Sequence, residues 1–145
     1  MQNVKVLLMI PPGEFYVSAN AIFPPLGIAY IGAYLENKGV KVLLKDFFAE
    51  KKNVKDVIKY ISDEHPDIVG VSIVTDNRFD AFSTVREIKR NFPSILIVAG
   101  GPHITLATED TMKNIPEIDI AVVNEGEITF YEITEAFCEN KKFEN

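Results

Sequence analysis

Short apolar runs rich in Val and Ile alternate along this chain with longer stretches in which apolar residues recur at helical period. The first run, residues 4–10, reads as a buried strand stopped by Pro11, Pro12 and Gly13. After a loop, Pro25 opens a helix over residues 26–38 and Gly39 ends it, the arrangement of Pro and Gly that helix ends prefer. Residues 40–45 form a second strand. Asn53 caps a helix whose Val54, Val57, Ile58 and Ile61 share one face, and Pro66 closes that unit. A third strand covers residues 68–73, and a helix over residues 78–91 sets Ala81, Val85, Ile88 and Phe92 on one stripe. Residues 95–99 form the fourth strand, followed by a Gly100-Gly101-Pro102 turn and a short helix near residues 109–114. The fifth strand spans residues 118–123, and Phe130, Ile133 and Phe137 mark the core face of a last helix.

Strands that alternate with helices predict an α/β fold, because right-handed crossovers place helices on both faces of a parallel sheet. A doubly wound, five-stranded, flavodoxin-like (Rossmann-like) sheet of order 2-1-3-4-5 is expected. The domain is expected to occupy residues 1–140, and the polar tail 141–145 reads as a frayed end or the start of a linker. A length of 145 residues suits one domain that buries its core without staples. No apolar run approaches the roughly 20 residues of a membrane span. Fifteen Lys and Arg against 21 Asp and Glu leave a net charge of −6, which argues against nucleic acid as a partner. Met1-Gln2-Asn3 lacks the basic region of a secretory signal, so a cytoplasmic location is expected. A single cysteine, Cys138, excludes a disulfide framework, a multi-Cys zinc site and a cysteine-bound iron–sulfur cluster held by this chain alone.

In an open sheet of this order, ligands bind beyond the carboxyl ends of the strands, near the switch point between strands one and three. Residues 11–13, 72–77, 100–105 and 124–129 stand there. They include no nucleophile–base pair, since His103 is the only histidine among them and His65 belongs to the far end. A phospho-receiver domain needs acids after strand one and a lysine after strand five, where this chain has Met9-Ile10-Pro11-Pro12 and Asn124-Glu125-Gly126. Neither a Gly-x-Gly-x-x-Gly turn nor a P-loop is present. The apolar stretch IPPGEFYVSANAIFPPLG replaces the Ser/Thr-rich phosphate loop of a flavodoxin and leaves FMN unsupported.

Four blocks remain: PPLGIAYIGAYLENKG (residues 24–39), DIVGVSIVT (67–75), VAGGPHIT (98–105) and NEGEITF (124–130). In this order they resemble the amino-terminal cobalamin-binding domain of the B12-dependent radical SAM proteins, a group that includes methyltransferases and the anaerobic magnesium-protoporphyrin IX monomethyl ester cyclase. The resemblance covers nearly the whole chain, with Ser72 and Val74 in the Ser-x-Leu element and Gly100-Gly101 in the Gly-Gly element. It implies a cobalamin whose nucleotide tail enters beside the sheet, contacted by Pro12, Gly13, Ser72, Val74, Thr75, Gly100, Gly101, Pro102, His103, Glu125, Gly126 and Glu127. Glycines without Cβ atoms let backbone come close to such a tail. Hydroxyls of Ser72 and Thr75 are suited to its ring nitrogen and phosphate, and the amides of residues 125–129, opening the last helix, to ribose or phosphate oxygens. A bulky residue at Gly101 is expected to block the tail and leave the fold intact. The Asp-x-His-x-x-Gly motif of classical cobalamin domains is missing, as no histidine occurs between Met1 and Glu64, and His103 is not carried over as the lower cobalt ligand. That absence fits the radical SAM branch. No residue is assigned to metal ligation or to catalysis. The Cys-x-x-x-Cys-x-x-Cys motif is absent too, so SAM and a [4Fe–4S] cluster are implied only for a radical SAM catalytic domain elsewhere in the full-length protein.

The same residues have plainer readings. Ser72 suits a packing position under a helix, Thr75 a helix cap, His103 a solvated loop, Asp46 a turn and Cys138 simple packing. Glu125 and Glu127 complement the positive end of the last helix. The helix over residues 26–38 is apolar nearly all round, through Leu26, Ile28, Tyr30, Ile31 and Leu35. Its outer face is expected to meet a catalytic domain or the corrin ring, and to promote self-association of the isolated domain. Two functions therefore stand side by side: a cobalamin-binding module of a radical SAM methyltransferase or cyclase, and a stand-alone flavodoxin-like ligand-binding or regulatory domain without cobalamin.

Overall fold

The computed structural model describes residues 4–13 and 23–139. In chain order the elements are β1 (Lys5–Ile10), α1 (Leu26–Asn37), β2 (Lys41–Asp46), α2 (Val54–Glu64), β3 (Ile68–Ser72) and α3 (Arg78–Asn91). They continue as β4 (Leu96–Gly100), α4 (Pro102–Leu106), α5 (Thr108–Asn114), β5 (Ile120–Ala121) and α6 (Glu127–Cys138). Every strand pair is parallel and the order is β2-β1-β3-β4-β5, the flavodoxin-like arrangement that the alternation predicts. The tail 141–145 lies outside the described residues.

Side chains on a strand point alternately to its two faces, so each central strand supplies two separate cores. Leu7, Met9, Val69, Val71, Ile97 and Ala99 pack with Val57 and Ile61 of α2 and Val85 and Ile88 of α3. Val6, Leu8, Ile68 and Val98 pack on the opposite face with Ile28 and Leu35 of α1 and Phe130 and Ile133 of α6. Cys138 joins the rim of that second layer, as its packing reading requires.

Local chemistry sets the element ends. Asn53 accepts hydrogen bonds from the Lys55 and Asp56 amides while the Asp56 carboxylate accepts one from the Asn53 amide, a complete capping box. Gly39 follows α1 at φ +81°, where a side chain would be strained. Asp46 accepts from the Ala49 amide at 2.8 Å and forms the turn expected of it.

β2 is half-exposed because it is an edge strand. Two features depart from the sequence reading. β5 is far shorter than residues 118–123, in part because the Asp119 carboxylate accepts from the Ile97 amide at 2.6 Å just before it. Gly100-Gly101-Pro102 is more than a turn, since α4 starts at once with Pro102 in its first turn, where a missing amide hydrogen costs nothing. Among the described residues no helix is long and apolar enough to cross a membrane.

Candidate ligand site at the carboxyl edge of the sheet

Strand alternation puts Gly70 and Ser72 of β3 on the α1/α6 face together with Val98 and Gly100 of β4. Ser72 and Gly100 are register partners at the carboxyl end of that seam. Between the seam and the two helices lies a cavity of about 130 Å³. Ser72, Gly100, Gly101, Glu125, Gly126 and Glu127, all expected at the site, line it. Its apolar walls, which sequence reading missed, include Leu8, Ile28, Ile31, Val98, Val122 and Phe130. Gly70 was the available signal for them, because a glycine inside a strand marks a close approach. A Cβ there would lie 2.7 Å from Leu8 Cδ2 and 2.8 Å from Phe130 Cε2, so its absence is what lets the Phe130 ring rest on the strand.

The two adjacent glycines do different work. A Cβ on Gly100 would have no neighbour nearer than the Val122 carbonyl oxygen at 3.7 Å, so this position opens on the cavity. Gly101 has φ +100° and ψ 176°, a region essentially reserved for glycine. A Cβ on it would lie 2.7 Å from the Ile73 carbonyl oxygen, which also accepts the His103 amide at 3.1 Å. A bulky residue at Gly101 therefore strains the backbone, contrary to the expectation that the fold would tolerate it. Gly126 brings the start of α6 close to α1, with Ile31 Cδ1 at 2.9 Å from where its Cβ would stand. No side chain caps α6, so its first amides are open at the cavity mouth.

Pro12, Gly13, Val74, Thr75, Pro102 and His103 do not line this cavity. Gly13 packs instead against Asp80 of α3, whose Oδ2 lies 2.6 Å from where a Cβ would stand. Thr75 is not a helix cap: its Oγ1 lies 3.3 Å from His103 Nδ1 and its carbonyl accepts from Arg78 at 2.6 Å. His103 is not a solvated loop residue either, since it is half-buried in α4 with its ring centroid 5.8 Å from that of Phe82. Burial and the Arg78 charge push its pKa below the ordinary value, against a smaller upward pull from Asp110. The buried Asn77 side chain accepts from the Val74 amide at 3.0 Å and fixes the same loop. Asn124, at the cavity mouth, has φ +62° and donates its amide to Thr105 Oγ1 at 3.0 Å. Thus α4 is tied to the loops on both sides of it. Among the described residues no group of three or more His, Cys, Asp or Glu converges to hold a metal.

The chain is 35% identical over 145 residues to an uncharacterized methyltransferase of Pyrococcus horikoshii, covering 98% of this chain and 31% of that protein. It is 33% identical over 106 residues to the anaerobic magnesium-protoporphyrin IX monomethyl ester cyclase of Rubrivivax gelatinosus, covering 72% of this chain and 19% of the relative. It thus spans a third or less of the curated relatives that it matches. Its fold is that of a region of OxsB, a cobalamin-dependent S-adenosylmethionine radical enzyme solved with aqua-cobalamin and S-adenosylmethionine bound, with a TM-score of 0.81 at 22% identity. That match covers 98% of this chain and 20% of OxsB. The family described as the B12 binding domain matches residues 16–134, a span that holds the Ser72–Gly100 seam, α1 and the first turns of α6, and the chain belongs to that family.

Proposed function

We propose that this chain holds cobalamin by its nucleotide tail in the α1/α6 cavity, as the cofactor-binding module of a radical SAM enzyme. The observation that carries this reading is the seam itself: a hydroxyl at Ser72 beside a side-chain-free Gly100, at the floor of an apolar slot open at the carboxyl edge. Among the described residues the Ser72 hydroxyl has no protein partner. A slot of this kind suits a flat aromatic base whose ring nitrogen accepts a hydrogen bond. Phe130, Ile28 and Ile31 would flank the base, and the open amides of α6 would meet the sugar and phosphate. Glu125 and Glu127 stand ready to accept from ribose hydroxyls.

Bound there, cobalamin would supply the cobalt chemistry of methyl transfer or of a cyclase-type radical reaction. The residues of this chain bind and orient it and take no catalytic part. SAM and a [4Fe–4S] cluster would be held by a catalytic domain of the same full-length protein, which the greater length of the relatives supports. A partner over the carboxyl edge is also supported by the apolar groups exposed there, Phe23, Leu26, Phe79, Leu106, Val123 and Ile128.

Titration of the chain with hydroxocobalamin, followed by ultraviolet–visible absorption, tests the reading. Saturable binding with a base-off spectral change is expected. No change up to high micromolar cobalamin would overturn it.

A further inference from the structure

The two helices that wall the cavity, α1 and α6, are each seated on the sheet by their own core residues, Ile28 and Leu35 on one and Phe130 and Ile133 on the other. Their sideways spacing is set where they touch each other. At the cavity mouth Ile31 of α1 closes on Gly126, its Cδ1 2.9 Å from where a Cβ would stand. One turn beyond Ile31 comes Tyr34, and next in sequence to Phe130 comes Tyr131. Their half-buried rings meet edge to face, with centroids 6.1 Å apart and planes at 83°. Lys38, exposed at the end of α1, holds its Nζ 5.5 Å from the Tyr34 centroid and 5.4 Å from that of Tyr131. The Tyr131 hydroxyl donates to Glu135 Oε1 at 2.8 Å and fixes its ring. One ammonium attracted to rings on two helices is a clip, because both contacts persist only while the helices stay together.

We propose, on the strength of the cobalamin reading above, that Lys38, Tyr34 and Tyr131 are positioning residues for the base of the tail: their clip holds α6 against α1 and sets the width of the slot between Ile31 and Phe130. None of the three lines the cavity, whereas Ile31 and Phe130 both do. The clip acts through these neighbours, because a shift of α6 away from α1 carries the Phe130 ring with it. A slot held at one width has less freedom to lose when the base enters, so the clip contributes to affinity without touching the ligand.

The test combines hydroxocobalamin titration with a direct measure of helix spacing. Lys38→Met keeps the stem and removes the charge, and it should weaken hydroxocobalamin by about threefold to fivefold, the size of one exposed cation–π contact. Lys38→Arg, which keeps a cation over the rings, should recover most of the affinity. Tyr131→Leu should repeat the loss by removing a ring instead of the charge. Asn53→Ala, whose cap belongs to α2 on the other face of the sheet, controls for lost stability and should bind as wild type does. Pulsed electron paramagnetic resonance between spin labels at Ala33 and Glu132, both exposed, in a Cys138→Ser background reads the distance from α1 to α6. Its distribution should broaden in Lys38→Met and narrow again in Lys38→Arg. The proposal is overturned if Lys38→Met binds as wild type does, if its label distances are unchanged, or if Asn53→Ala weakens binding equally, which would trace the loss to general stability. Each of those results leaves the cavity reading intact, whereas a wild type that binds no hydroxocobalamin overturns the cavity reading and the role of the clip with it.

Discussion

Gly100 and Gly101 are adjacent and chemically identical, yet they answer to different demands. Gly101 is held by its dihedral angles and by the Ile73 carbonyl, whereas Gly100 opens on the cavity. Gly101→Val is therefore expected to lower folding stability by about 1–3 kcal/mol through backbone strain, seen as a lower urea midpoint. Gly100→Val should leave the midpoint close to wild type and remove most cobalamin affinity in the absorption titration. Equal destabilisation by both would show that the two glycines share one structural role. At His103, the neutral imidazole is favoured in the folded chain because burial and Arg78 depress its pKa. As pH falls through the ordinary value, the unfolded chain takes up the proton first, so stability declines until the lowered folded pKa is passed. Urea midpoints at about pH 7.5 and about pH 5.5 should show a larger acid-side loss for wild type than for His103→Gln. An equal loss in both would exclude His103 as the source.

At the scale of the element, ends were legible wherever a side chain makes them. The Asn53 capping box and Gly39 at positive φ are both readable as residue types at the right spacing. Asn53→Ala is expected to cost about 1 kcal/mol, measured by urea unfolding, with unchanged cobalamin affinity because α2 packs on the face away from the cavity. An unaltered midpoint would mean that the cap contributes nothing in this context. Elements whose ends depend on neighbours were less legible. β5 shrinks where the Asp119 side chain occupies the Ile97 amide, and α4 arises in a segment too short for any periodicity to appear. Helix α1 shows the limit of pattern alone: it is apolar nearly all round, but only Ile28, Gly32 and Leu35 are buried. Tyr30 and Leu26 remain 64% and 61% exposed.

Over the whole molecule, exposed apolar side chains gather at the carboxyl edge, on the first turns of α1, α3 and α6 and on the segments after β4 and β5. The isolated chain should therefore self-associate with rising concentration, and the double variant Phe23→Ser, Leu106→Ser should shift sedimentation equilibrium toward monomer. A wild-type chain that stays monomeric throughout would remove the argument for a covered edge. The three-layer fold itself was readable, because Val- and Ile-rich runs alternating with amphipathic helices admit few topologies other than a parallel sheet covered on both faces. By itself the sequence determined the order of the strands and of every helix but α4, the main caps and the four segments that meet at one end of the sheet. Only the tertiary structure decided which of those residues share a cavity. That choice depends on strand register, which pairs Ser72 with Gly100, and on side-chain alternation, which sends these two toward α6. The Thr75–His103 contact lies outside that cavity, and it joins segments 28 residues apart. Spacing along a chain carries local periodicity, but a contact between distant strands exists only once the sheet has formed.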